Sequence, residues 1–160
     1  MKNSNFFLLA IATALLFSCN QNGKVSAVND EDSLSADTIS KNECYVAADE
    51  LDSAFLKLKI VNNDKVEGTL LFTFEEKGKN DGAIEGVFKG DTLFVDYTFK
   101  IGPSKTVYKN PLALLKKDGK LILGVGQIET SLGKSYFVKG KQIDFDKGRF
   151  VFLTTDCLKQ

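Results

Sequence analysis

The stretch AIEGVFKGDTLFVDYTF, residues 83–99, carries the clearest structural signal in the chain. At its centre, Gly90 and Asp91 form a two-residue connection with glycine first, which is typical of a type II′ turn between antiparallel strands. Counting outward predicts an apolar face with the pairs Phe88–Leu93, Gly86–Val95 and Ile84–Tyr97, and a mixed face with Lys89–Thr92, Val87–Phe94 and Glu85–Asp96. A slip of one residue would mix polar and apolar side chains on both faces, so we expect this register.

Short runs of the same kind continue on both sides of this hairpin. Residues 53–61 and 66–74 alternate apolar and polar side chains, and Asp118-Gly119 is a type I′ turn signal ahead of a strand over residues 121–128. We also predict strands over residues 105–108, 112–116, 135–138, 142–145 and 149–153, and a polar loop over 75–82. Asn110-Pro111 indicates a bend or an edge, and Gly124 and Gly126 indicate a tight bend or a close approach of the backbone. The sequence therefore predicts an all-β, antiparallel domain.

The N-terminal residues have a different pattern. Lys2 precedes a run over residues 6–17 that is apolar except for Thr13, which is the layout of a secretory signal. As a helix this run would be about 18 Å long, too short for the roughly 30 Å hydrocarbon core of a bilayer. It ends in Leu16-Phe17-Ser18-Cys19, which resembles the lipobox of bacterial lipoproteins. The resemblance implies that residues 1–18 are a signal peptide removed by cleavage before Cys19, and that Cys19 receives a diacylglycerol and an amine-linked acyl chain, which together anchor the protein to a membrane.

Residues 19–42 are expected to form the lipidated N-terminus and a flexible tether. The segment after Cys19 is rich in Asn, Ser, Asp and Glu and has too few apolar side chains to offset the entropy lost on ordering. In some Gram-negative lipoproteins, acidic residues directly after the cysteine direct export to the outside face, whereas here Asn20-Gln21-Asn22-Gly23 follows and the acids begin at Asp30. By that resemblance, we expect the outer membrane, facing the periplasm.

The remaining composition suits one β domain over residues 43–160. The 160 residues less the 18 of the signal leave 142, the length of a single domain, with 20 basic residues (21 less Lys2) against 21 acidic ones. This near balance gives no indication of nucleic acid as a partner. With Cys19 lipidated, Cys44 and Cys157 remain as a pair in an oxidising compartment, so we expect them to form a disulfide.

The disulfide and the strand order together predict a closed barrel. Bonded cysteines have Cα atoms about 4.4–6.8 Å apart, so the first and last strands would be neighbours. An antiparallel meander whose ends meet is a barrel, here of roughly eight strands, with a two-sheet β-sandwich as the alternative. Alternation directs four phenylalanines inward (Phe72, Phe74, Phe88 and Phe99) and two outward (Phe55 and Phe94), which predicts a filled core and, at most, a shallow pocket at one end.

The short patterns around the turns allow a loose family comparison. Val66-Glu67-Gly68, the stretch from Gly82 to Gly86 and Gly90-Asp91-Thr92-Leu93 are similar to small uncharacterised envelope lipoproteins with barrel domains. The strand pattern is more loosely similar to avidin-like and lipocalin-like barrels, although the chain has no tryptophan for a lipocalin G-x-W motif. The resemblance implies a fold and carries no catalytic or ligand residue with it.

The chain lacks the residues of most catalytic machinery. It has no histidine, which excludes Ser-His-Asp and Cys-His nucleophile pairs and removes the commonest metal ligand. It also lacks the phosphate-loop, dinucleotide and nucleophile-elbow glycine motifs, and residues 75–82 do not follow the EF-hand order. We therefore predict a protein that is not an enzyme and needs neither cofactor nor metal. The alternative is an envelope enzyme that uses carboxylates.

One candidate surface site follows from the hairpin register. Glu85 opposite Asp96 places like charges on adjacent strands, which is unfavourable unless a cation intervenes. Val87 opposite Phe94 adds an apolar patch beside them. These four residues are the candidate site of a monomeric, membrane-anchored binding or interaction module, whose ligand would be a small apolar molecule at the barrel mouth or an envelope protein on the outer wall, as in envelope lysozyme-inhibitor barrels.

Overall fold

The computed structural model describes residues 40–62 and 64–157, and these residues form an all-β structure. Its strands are β1 Ser40–Asp49, β2 Asp52–Val61, β3 Lys65–Phe74, β4 Gly78–Lys89, β5 Thr92–Ile101, β6 Val107–Lys117, β7 Lys120–Leu123, β8 Ile128–Ser131, β9 Lys134–Phe137 and β10 Val151–Thr155. Eight of them close into an antiparallel barrel in the order β1-β10-β7-β6-β5-β4-β3-β2, and β8 pairs with β9 in a separate two-stranded sheet. The predicted eight-stranded barrel is confirmed, and the sandwich alternative is wrong.

The central hairpin has the predicted register. Phe88 pairs with Leu93 and Ile84 with Tyr97 on the inner face, while Glu85 pairs with Asp96 on the outer face. Gly90 has φ +60°, the left-handed conformation that the first position of a type II′ turn requires.

Closure occurs between the first and last strands. Cys44 of β1 lies opposite Thr155 of β10, and a disulfide joins Cys44 to Cys157, whose Cα atoms are 5.2 Å apart. The predicted pairing of the two domain cysteines is confirmed.

Several strand boundaries differ from the prediction. β1 begins at Ser40, so residues 40–42 belong to the first strand rather than to the tether. β4 begins at Gly78, so most of the predicted loop over residues 75–82 is strand. Pairing with β3 on one side and β5 on the other supplies the backbone of β4 with hydrogen bonds, and this overrides the turn-forming character of its side chains.

β6 is continuous where an interruption was expected. It runs through Pro111, which lies opposite Asp96 of β5. On its other side the register with β7 covers only Leu114 to Lys117. Among the described residues, no strand is in register with Pro111 on that side, so it lies at an edge, one of the two arrangements predicted there, and proline tolerates this position.

The region after β7 was predicted least well. The expected strand over residues 121–128 ends at Leu123, the expected strand over 142–145 is only an isolated bridge between Val125 and Asp144, and β8–β9 forms outside the barrel. The expected close approach at Gly124 is present, because a Cβ there would lie 2.4 Å from Cγ2 of Ile143.

Aromatic rings fill the barrel. Phe72 packs against Phe150 with ring centroids 5.1 Å apart, and Tyr97 stacks on Phe99 at 4.5 Å. Phe72 and Phe99 belong to the buried cluster, and Phe74 and Phe88 pack against it, as predicted. The interior is occupied by side chains, so concave space is found at the barrel end and on the outer wall.

Candidate functional site

The end of the barrel at which β1 finishes carries an open pocket, which we call the mouth. Its volume is about 450 Å³, within the range of ligand sites. Its lining comes from Arg149 and from residues in or beside the β1–β2 and β3–β4 turns. These residues are Asp49, Glu50, Leu51, Asp52, Phe74, Glu75, Glu76, Lys77, Asn80 and Arg149.

Arg149 organises the mouth. Its Nε donates to Oδ2 of Asp49 at 2.6 Å and its Nη2 donates to Oδ2 of Asp52 at 2.8 Å. The other oxygen of Asp52 accepts the backbone N–H of Glu75 at 3.0 Å. This hydrogen bond from Glu75 and the guanidinium of Arg149 lower the pKa of the Asp52 carboxyl, and both carboxylates raise the pKa of Arg149. One arginine thus holds the turn before β2, the turn after β3 and the approach to β10 together.

The floor of the mouth is formed by the ring of Phe74, and the buried ring of Phe150 packs against it from below. The guanidinium carbon of Arg149 lies 5.6 Å from the ring centroid of Phe150, and Phe74 is 6.5 Å from the same ring. Beneath them the hydroxyl of Tyr97 shares its proton between the carbonyl oxygens of Asn80 at 2.8 Å and Leu70 at 3.0 Å. Burial raises the pKa of Tyr97, so this hydroxyl stays a donor and the floor stays neutral.

The rim of the mouth is acidic. Five carboxylates line it against two cations, Lys77 and Arg149, a net charge of −3. Leu51 projects from the β1–β2 turn with 71% of its surface exposed. An acidic rim around an aromatic floor suits cationic groups with apolar stems, such as lysine and arginine side chains.

The mouth lies at the far end of β1 from Ser40. β1 has ten residues and ends at Asp49 in the mouth. At about 3.3 Å per residue, its length is roughly 30 Å. The chain entry at Ser40 is therefore at the opposite end of β1, and Cys44 of the disulfide lies about midway along the strand.

The structure also brings the predicted surface residues together. Glu85 lies opposite Asp96, and Val87 lies opposite Phe94, all on the outer face of β4 and β5. Nζ of Lys109 lies 2.9 Å from Oδ2 of Asp96, which supplies the cation that the like-charged pair needs.

A shallow space of about 320 Å³ separates this part of the wall from β9. Glu85, Asp96 and Phe94 line it together with residues 134–137, while Val87 does not. The predicted residues thus meet, although one of them lies outside the cavity.

The mouth residues were missed by the sequence reasoning. Arg149 is 100 residues from Asp49 and 97 from Asp52, so no local spacing signals their contact. Their one shared feature in the sequence is a position at the end of a strand or in a turn.

Three further observations bear on the site. Among residues 40–62 and 64–157, no group of three or more Asp, Glu or Cys residues is arranged to hold a metal ion. The same part of the chain contains no helix that is long and apolar enough to cross a bilayer. Cys19 and the predicted signal peptide lie outside the described residues.

Comparison of the chain with protein-family models, with curated proteins and with solved structures finds no match.

Proposed function

We propose that this protein is a lipid-anchored, non-catalytic interaction module of the bacterial cell envelope that binds a basic partner protein through its mouth. The observation that carries the proposal is the arrangement of the mouth, an open pocket with an acidic rim, an aromatic floor and an arginine, Arg149, held in place by an ion pair. Lysine and arginine side chains of a partner would meet the free carboxylates of Glu50, Glu75 and Glu76, and their stems would lie on the floor.

The position of the mouth supports this role. The lipobox places the anchor at Cys19, on the N-terminal side of Ser40, and Ser40 lies at the opposite end of β1 from the mouth. An anchored domain would therefore be able to direct the mouth away from the bilayer. We propose the periplasmic face of the outer membrane as its location.

A binding role is favoured over a carboxylate-dependent enzyme by how the carboxylates are used. Asp49 and Asp52 are both bonded to Arg149, and Asp96 is paired with Lys109. An acid–base mechanism that used Asp49, Asp52 or the Glu85–Asp96 pair would therefore have to break a structural ion pair.

The anchor is tested with Cys19→Ser. We expect the wild-type protein to sediment with membranes and to begin at an acylated Cys19, and the variant to retain its signal peptide and incorporate no labelled fatty acid. A mature N-terminus at any other residue would contradict the anchor.

The mouth is tested in intact cells by placing a photoreactive amino acid at Leu51. We expect a discrete crosslinked adduct with one envelope protein, weakened by added salt because the contact is electrostatic. The matched control places the same amino acid at Asp91, which is exposed in the turn at the opposite end of the barrel. The same adduct from both positions, or none from Leu51, would overturn the proposed role of the mouth.

A further inference from the structure

A second concave surface lies on the outer wall of the barrel, and we call it the wall groove. Its volume is about 700 Å³. Its lining includes five large apolar side chains on four adjacent strands and one lysine: Val46, Phe55, Leu71, Val151, Leu153 and Lys120. Its position and its lining are separate from those of the mouth.

The apolar residues form a row in register across the strands. Leu153 of β10 lies opposite Val46 of β1, Val46 lies opposite Phe55 of β2, and Phe55 lies opposite Leu71 of β3. Val46 and Leu153 are 41% and 48% exposed. With strands about 4.8 Å apart, this row makes an apolar track of roughly 14 Å that is open to solvent.

The track has a cationic end. Lys120 is the one charged residue among the described residues that line the groove. The register of β7 with β10 pairs Leu121 with Phe152, so Lys120 lies beside Leu153 on the neighbouring strand. Lys117 lies directly opposite Lys120 across the β6–β7 hairpin. Like charges in that position destabilise a hairpin, and neither lysine has an ion-pair partner within the described residues.

An anion at this end would relieve the repulsion between the two lysines, and a hydrocarbon chain attached to it would cover the track. We propose that the wall groove binds a single-chain anionic amphiphile, a free long-chain fatty acid, with its carboxylate on Lys120 and Lys117 and its chain over Leu153, Val46 and Phe55. The groove volume lies within the range of small-molecule sites. This inference is independent of the mouth and of its partner.

The test uses the full chain as the host cell processes it, reconstituted in nanodiscs of zwitterionic phospholipid. A stearate with a nitroxide near its methyl end is added, and the methyl NMR signals of Val46 and Leu153 are followed. We expect these signals to broaden, while that of Val107, which is 56% exposed on β6, stays sharp. A phospholipid with the same nitroxide, which remains in the bilayer, should leave all three signals unchanged.

Variants then test the two halves of the groove. Lys120→Gln should weaken stearate binding roughly two- to fivefold, the size of an exposed ion pair. Leu153→Asn should weaken it roughly tenfold, because it interrupts the apolar track. Val107→Asn is the matched control and should leave binding unchanged, and equal melting temperatures show that all three variants are folded.

The remaining outcomes overturn the proposal. Broadening by the nitroxide phospholipid would mean that the wall lies against the bilayer. Changes in the groove signals with protein concentration alone would mean that a second copy covers it. Equal broadening at Val107, or none at Val46 and Leu153, would mean that the groove does not select the fatty acid.

Discussion

Cys44 of β1 and Cys157, two residues beyond β10, are joined by a disulfide across 113 residues of sequence. The bond reinforces the seam at which the first barrel strand in the sequence, β1, pairs with the last, β10. β1 and β10 share a register of only three residue pairs there, from Cys44–Thr155 to Val46–Leu153.

Cys44→Ser should lower the free energy of unfolding by about 4 kcal/mol, because the unfolded chain regains the freedom that closure of so long a loop removes. Urea unfolding of the oxidised protein and the variant measures the difference. Reduction of the wild-type protein, and Cys157→Ser, should give the same loss. Equal stability of the oxidised wild-type protein and either variant would contradict the prediction.

Asp52→Asn should make the protein less stable at neutral pH and less sensitive to acid. The pKa of Asp52 in the folded protein is lowered by the N–H of Glu75 and by Arg149, whereas an unfolded aspartate titrates near about 3.9. The contribution of Asp52 to the free energy of unfolding is therefore complete above that pH and is lost as the pH falls through the lower pKa of the folded protein.

Unfolding by urea between neutral pH and strong acid would measure this dependence. Glu50→Gln is the matched control, since Glu50 lies in the same turn and forms no ion pair within the described residues. If Asp52→Asn and wild-type protein lose stability in parallel on acidification, Asp52 is not the linked group.

Gly86→Ala should destabilise the barrel by about 1–3 kcal/mol, the usual effect of overpacking. A Cβ at Gly86 would lie 1.9 Å from the carbonyl oxygen of Phe94 and 2.7 Å from Cα of Val95, and both atoms belong to the backbone of the paired strand. Val87→Ala, on the outer face one residue later, should change stability by less than about 1 kcal/mol. A Gly86→Ala protein with the wild-type urea midpoint would show that β4 and β5 can separate at this point without loss.

Tyr97→Phe should lower the free energy of unfolding by about 1–2 kcal/mol, because the carbonyl oxygens of Leu70 and Asn80 lose their shared donor inside the barrel. Tyr108→Phe is the control: this ring also stacks on Phe99 but is 41% exposed, and its loss of a hydroxyl should stay within about 0.5 kcal/mol. Urea unfolding compares the two, and equal effects would mean that the buried hydroxyl does not stabilise the fold.

The sequence by itself determined the features that depend on neighbouring residues. The register around Gly90, the inward direction of Phe72 and Phe99 and the turn at Asp118-Gly119 follow from a period of two and from turn chemistry, both of which act within a few residues. The pairing of Cys44 with Cys157 followed from the count of cysteines and from the expected modification of Cys19, which stays a prediction.

The tertiary structure decided the features that depend on which strands become neighbours. The ends of β4 and the course of the chain after β7 are set by pairing and packing with distant segments, which override the local turn signals. Arg149 meets Asp49 and Asp52, and Leu153 meets Val46, because closure brings β10 against β1. Contacts between residues about a hundred positions apart leave no periodic trace in the sequence, so the mouth and the wall groove exist only once the barrel has closed.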